Sequence, residues 1–142
     1  MKIAHVGAAA LLLLVGCDEP RVAERGALGV PWTFMILDTQ RKTVGTLGVR
    51  FTAEKAQSCI SGDWRKIVVV SFKSLGEPAF PGKDPLAYSL EGRQLTIGRN
   101  EICDGYVMLQ GELTDAGLSG EYFTLGLGGQ HQMGYVLGKP SE

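Results

Sequence analysis

A clean strand alternation runs through the stretch Tyr106-Val107-Met108-Leu109-Gln110-Gly111-Glu112-Leu113-Thr114. The apolar residues Val107, Leu109 and Leu113 share one face of this alternation, whose period of two is typical of a strand with one buried face. Residues 115–117, Asp-Ala-Gly, favour a tight turn, after which a second strand pattern covers residues 118–125. Because two strands joined by a tight turn pair with each other, this region predicts an antiparallel hairpin.

Six further stretches predict strands on the two sides of this hairpin. They either alternate with period two or are rich in aromatic and β-branched residues, and turn residues separate most of them. They cover residues 32–37, 45–51, 64–72, 86–90, 95–97 and 131–137. The strongest strand signal in the chain covers residues 64–72, and its centre, Ile67-Val68-Val69-Val70, is apolar on both faces and predicts a central strand. Residues 52–57 have helical propensity and predict a short helical turn.

About eight strands without interposed helices predict an all-β fold. Because a closed sheet has no exposed edges, we expect a small antiparallel up-and-down barrel, with a two-sheet β-sandwich as the alternative. Glycines within strands are expected where a barrel wall bends, and the sequence places them at Gly48, Gly111, Gly120 and Gly134. The strand-turn-glycine pattern over residues 109–135 resembles the closing hairpins of lipocalin-like, or calycin, barrels. This resemblance implies a fold and no functional residue.

The start of the chain has the layout of a secretory signal peptide. A positive start at Lys2 precedes an apolar run over residues 6–15, which is too short for the roughly 20 residues of a membrane-spanning helix. The following Leu14-Val15-Gly16-Cys17 resembles the lipobox of bacterial lipoproteins. The resemblance implies cleavage before Cys17, with a diacylglyceryl group on its sulfur and an acyl chain on its amino group. The alternative is an ordinary secretory signal with an incidental cysteine.

This interpretation divides the chain into a signal peptide at 1–16, a lipidated tether at 17–29 and a single β-barrel-like domain at 30–142. Multiple acylation of Cys17 would anchor the domain stably to a membrane facing the periplasm. Asp18 resembles the inner-membrane retention signal of some lipoproteins, so we expect the inner membrane and keep the outer membrane as the alternative. The formal net charge of −1 and the lack of a basic patch argue against nucleic acid as a partner.

Cys59 and Cys103 are the cysteines that remain after Cys17 in a chain with three. An even pair in an oxidising compartment predicts a disulfide, which would require Cα atoms within about 7 Å. A metal site and a pair of free thiols are the alternatives. The metal site is disfavoured because His131 is the one imidazole after the signal and no CxxC spacing is present.

The sequence predicts no catalytic residue, no cofactor-binding residue and no metal ligand. His131 stands beside a glycine-rich turn without a GxSxG nucleophile motif, which favours a surface position. Trp32 and Trp64 at strand starts are expected to plug one end of the barrel, with stacking on a ligand as the alternative. The proline-rich segment 75–85 predicts a long surface loop.

These features favour a non-enzymatic binding module for an envelope partner or a small apolar ligand. The alternative is a periplasmic immunity or inhibitor protein that blocks a toxin or lytic enzyme with loop 75–85. The inward residues Leu47, Val49, Val107 and Leu109 distinguish two kinds of barrel, because they either fill the interior or leave a ligand cavity.

Overall fold

A computed structural model describes residues 27–101 and 103–141 of the chain. The predicted signal peptide, Cys17 and Asp18 lie outside these residues. No helix in the two described ranges is long and apolar enough to cross a membrane. The described residues form strands β1 Trp32–Asp38, β2 Thr43–Lys55, β3 Trp64–Ser74, β4 Leu86–Glu91, β5 Gln94–Arg99, β6 Tyr106–Thr114, β7 Gly117–Gly126 and β8 Gly129–Pro140.

The strands form a closed antiparallel up-and-down barrel in which each strand neighbours the next in sequence. Closure is made by β1 and β8, which pair from Trp32 opposite Pro140 to Asp38 opposite Gly134. The predicted barrel is therefore confirmed. The sandwich alternative is wrong, because a continuous ladder joins the first strand to the last.

The predicted helical turn at residues 52–57 is wrong, because β2 continues through Lys55. Thr52 donates a side-chain hydrogen bond to the Lys66 carbonyl on β3 at 2.8 Å. Pairing with a neighbouring strand has overridden local helical propensity here.

The predicted central position of the β3 valines is also wrong. Val68 and Val70 are 48% and 56% exposed. Beyond Ile67, β3 is paired with β2 but no longer with β4. A register shift also leaves Val70 without an opposite residue, since Gly48 faces Ser71 and Val49 faces Val69. Val68 and Val70 are two residues apart, so strand alternation places both on the same, outward face of β3.

Apolar side chains fill the barrel interior. Leu47, Val49 and Leu109 are at most 2% exposed, and the partly buried Val107 packs against the same cluster. Loop 75–85 adds Phe80, which is buried and lies 6.0 Å from the ring of Tyr122 between centroids. The loop predicted to lie on the surface therefore contributes one ring to the chain's own core.

Loop 75–85 joins β3 to β4 at one end of the barrel. The residues that precede β1 cover the other end. Trp32 is buried and donates its indole N–H to the Ala27 carbonyl at 2.9 Å. Leu28, within the range assigned to the tether, is also buried in the core. Trp32 thus lies in the interior as predicted, whereas Trp64 belongs to a separate cluster on the outer face. The plug prediction is wrong for Trp64, because its neighbour Arg65 occupies the inward position opposite Tyr88.

Candidate functional site

Residues 56–63, here called the strap, cross the outer wall of the barrel between β2 and β3. Ala56 and Ile60 of the strap pack against a buried outer cluster that contains Trp64, Met108 and Phe123. The Glu101 backbone N–H donates to the Gln57 carbonyl of the strap at 3.1 Å. Apolar burial and backbone pairing together hold the strap against the wall.

A disulfide joins Cys59 of the strap to Cys103 in the β5–β6 connection. The two Cα atoms lie 5.1 Å apart, within the range that such a bond requires. The predicted disulfide is therefore confirmed. Its position shows that it fixes the strap to the barrel wall.

An open cleft of about 250 Å³, here called the outer cleft, lies between the strap and the outward faces of β4 to β8. Ile60 and Ser61 of the strap form one side. Trp64, Met108 and Phe123 form an apolar part of the lining and are each at most 7% exposed. The strap therefore creates a concave site on a barrel wall that would otherwise be convex.

A row of polar side chains crosses the outer cleft. Strand register places Ser89 on β4 opposite Thr96 on β5, and Thr96 opposite Gln110 on β6. The Gln110 side-chain amide donates to the Thr96 hydroxyl at 2.9 Å. Because an amide and a hydroxyl each carry donors and acceptors, this pair keeps hydrogen-bonding capacity for a further group.

Ser89 is the unusual member of this row. It is 5% exposed, and its hydroxyl has no hydrogen-bond partner within the described part of the chain. The hydroxyl lies beneath the strap, 3.6 Å from the position that a Cβ on Gly62 would occupy. A buried hydroxyl without a partner costs about 1–3 kcal/mol, and native structures keep few such groups.

The lining of the outer cleft carries little charge. Among the described residues that line the outer cleft, Glu91 is the one that carries a formal charge. Gln94 and Gln130 stand exposed at the rim, where Gln130 donates to Glu121 at 3.4 Å. The site thus combines an apolar lining with neutral hydrogen-bonding groups, a combination typical of small-molecule sites.

A second cleft, of about 240 Å³, lies at the barrel end near Leu28. Its lining includes Phe51, Tyr88 and the ion pair between Arg65 and Asp63, whose closest atoms, Nη2 and Oδ2, are 2.8 Å apart. Hydrogen bonding to Asp63 raises the pKa of Arg65. The Tyr88 hydroxyl donates to the Thr52 carbonyl. These polar groups already have protein partners, so this cleft offers a ligand less than the outer cleft does.

His131 and Tyr122 are in the lining of neither cleft. His131 is exposed on β8. Burial, with a smaller effect of Glu77, raises the pKa of Tyr122 to about 12, so its phenol stays protonated at neutral pH. The described ranges contain no group of three or more His, Cys, Asp and Glu side chains that could hold a metal ion.

Comparisons of the chain with protein-family models, curated proteins and solved structures found no match. The outer cleft is therefore interpreted from its own chemistry. Sequence reasoning brought Cys59 and Cys103 together but missed Ser89, Thr96 and Gln110 as neighbours. The sequence feature that could have indicated Gln110 is its position on the outward face of β6 in the alternating pattern.

Proposed function

We propose that this chain is a lipid-anchored, non-enzymatic binding module of the cell envelope that holds its partner in the outer cleft. The observation that carries the proposal is the buried hydroxyl of Ser89, a residue that lines an open cleft, because this hydroxyl lacks a partner among the described residues. A bound group would supply the hydrogen bond that the folded chain leaves unmade.

The position of the core favours an envelope partner over a small apolar ligand inside the barrel. Leu47, Val49 and Leu109 already occupy the interior, and Phe80 packs into it from loop 75–85. The same burial of Phe80 weakens the alternative of an inhibitor protein whose loop plugs an enzyme, because that ring is committed to its own barrel. The outer cleft remains open beside a rigidly held strap.

Anchoring through Cys17 predicts that the protein incorporates labelled palmitate and that Cys17→Ser abolishes this label. Acylation at several positions is required for stable attachment, so the variant should also leave the membrane fraction. Asp18→Ser is the matched control, because it should keep the label while testing the choice between inner and outer membrane. Label in the Cys17→Ser protein would refute the lipobox interpretation.

Blocking the outer cleft should weaken binding to envelope material. The full chain, purified in detergent, is mixed with extracted envelope fragments that contain both protein and glycan, and the sedimenting fraction is measured. Thr96→Trp places a large ring in the cleft and should weaken binding about tenfold or more, the effect of losing about 1.4 kcal/mol. Thr46→Trp alters another half-buried threonine, on β2 outside this cleft, and should leave binding unchanged. Equal binding of both variants would refute the proposal.

A further inference from the structure

We propose that the group held in the outer cleft is a neutral, hydroxyl-rich saccharide unit of a glycan chain. The inference rests on the proposed binding function and names the chemistry of its ligand. It is drawn from the polar row at Ser89, Thr96 and Gln110, the apolar lining beside that row and the strand pairing beneath it.

The polar groups of the outer cleft match the hydrogen-bonding pattern of sugar hydroxyls. A sugar hydroxyl donates and accepts, and so do the Thr96 hydroxyl and the side-chain amides of Gln94, Gln110 and Gln130. No Lys or Arg is among the described residues of the lining, and Glu91 adds a negative charge. An anionic ligand such as a phosphate would therefore meet repulsion without a compensating cation.

The backbone beneath the outer cleft is not available to an extended peptide. β5, β6 and β7 each pair with a strand on both sides. A peptide that binds by strand addition needs an unpaired edge, and these strands offer none in the closed wall. Recognition in this cleft must therefore come from side chains.

The apolar lining and the size of the cleft suit one ring of a longer chain. Leu125 is 36% exposed and lines the cleft beside the buried Trp64, Met108 and Phe123, so it offers an apolar surface to the C–H groups of a sugar ring. The volume of about 250 Å³ lies just below the roughly 300–1,000 Å³ of sites that enclose a complete small molecule. Because the cleft is open, the rest of the chain can extend into solvent.

Binding of neutral tetrasaccharides to the full chain in detergent tests the assignment directly. Chitotetraose and cellotetraose are titrated into the protein while tryptophan fluorescence and heat are measured. Trigalacturonate and a neutral hexapeptide are titrated in the same way, as an anionic and a peptide ligand for comparison. At least one neutral sugar should bind saturably, with a change in tryptophan fluorescence because Trp64 lines the cleft. Gln110→Ala and Ser89→Ala should each weaken that affinity about tenfold, whereas Gln40→Ala in the β1–β2 turn should not.

Ser89→Ala separates a loss of sugar binding from a loss of folding stability. Its hydroxyl has no partner among the described residues, so the variant should keep or raise the urea midpoint of the parent protein. A lower midpoint would mean that the hydroxyl is structural and would overturn its role in binding.

The failures of the two proposals are distinguishable. If neither tetrasaccharide binds while Thr96→Trp still weakens sedimentation with envelope fragments, the saccharide assignment is wrong and the binding module stands. Tighter binding of trigalacturonate or the peptide also overturns the assignment. If Thr96→Trp has no effect on sedimentation, the proposed function itself fails.

Discussion

Reducing the Cys59–Cys103 bond, or substituting Cys103→Ser, is expected to lower the free energy of unfolding by roughly 4 kcal/mol. The bond joins residues separated by 44 positions in sequence, and opening so long a loop increases the freedom of the unfolded chain. Because domains of this size commonly have about 5–15 kcal/mol of stability, the loss is a large fraction of the total. The strap also carries Ile60 and Ser61, so the reduced protein should lose affinity for envelope fragments.

Urea unfolding of the full chain with and without reductant measures this effect. The Cys17→Ser protein is the matched control, because it lacks the third cysteine but keeps the Cys59–Cys103 bond. Reductant should shift its midpoint as much as that of the parent protein. A shift equivalent to less than about 1 kcal/mol would mean that the strap is held by its apolar contacts and backbone pairing alone.

The barrel could be predicted because its determinants are local. Alternation in the β6 stretch identifies the buried face, and the turn at residues 115–117 makes its successor an antiparallel neighbour. Repetition of this pattern along the chain predicts neighbouring strands in sequence order. The closing pair β1 and β8 then follows from the need to remove two free edges.

The strap and the face of Trp64 could not be predicted in the same way. Residues 56–63 have no regular period, and their conformation depends on Cys103 and on an outer cluster built from β3, β4, β6 and β7. Trp64 begins a strand that is apolar on both faces at its centre, so alternation does not decide which side the ring occupies. Only the pairing of Trp64 with Ser89 places it on the outer wall.

The outer cleft depends on strand register, which the sequence specifies only in part. Ser89 and Thr96 face each other because the short turn at Gly92, with φ of 59°, fixes the β4–β5 hairpin. Gln110 joins them through the β5–β6 register, and the longer connection between these strands does not determine that register. The polar row is therefore a product of tertiary structure.

Gly134→Ala is expected to destabilise the protein by about 3 kcal/mol or more. A Cβ at this position would lie 1.8 Å from the Leu37 carbonyl oxygen and 2.8 Å from its carbonyl carbon. These are backbone atoms of β1, so the strain cannot be relieved by a side-chain rotation. Gly134 pairs with Asp38 on one side and with Tyr122 on the other, and a shift would disturb both ladders at the seam that closes the barrel.

Gly128→Ala is the matched control, because no atom lies within 4 Å of a Cβ built there and its backbone needs no left-handed conformation. Its free energy of unfolding should change by less than about 0.5 kcal/mol. Replacing a glycine without strain restricts the unfolded chain and so favours folding slightly. A large loss of stability in Gly134→Ala must therefore come from the contact with Leu37. The urea midpoints of the two variants are compared with that of the parent protein. Equal stability of both would mean that β8 does not lie against β1 at this position, and the barrel would be open at its seam.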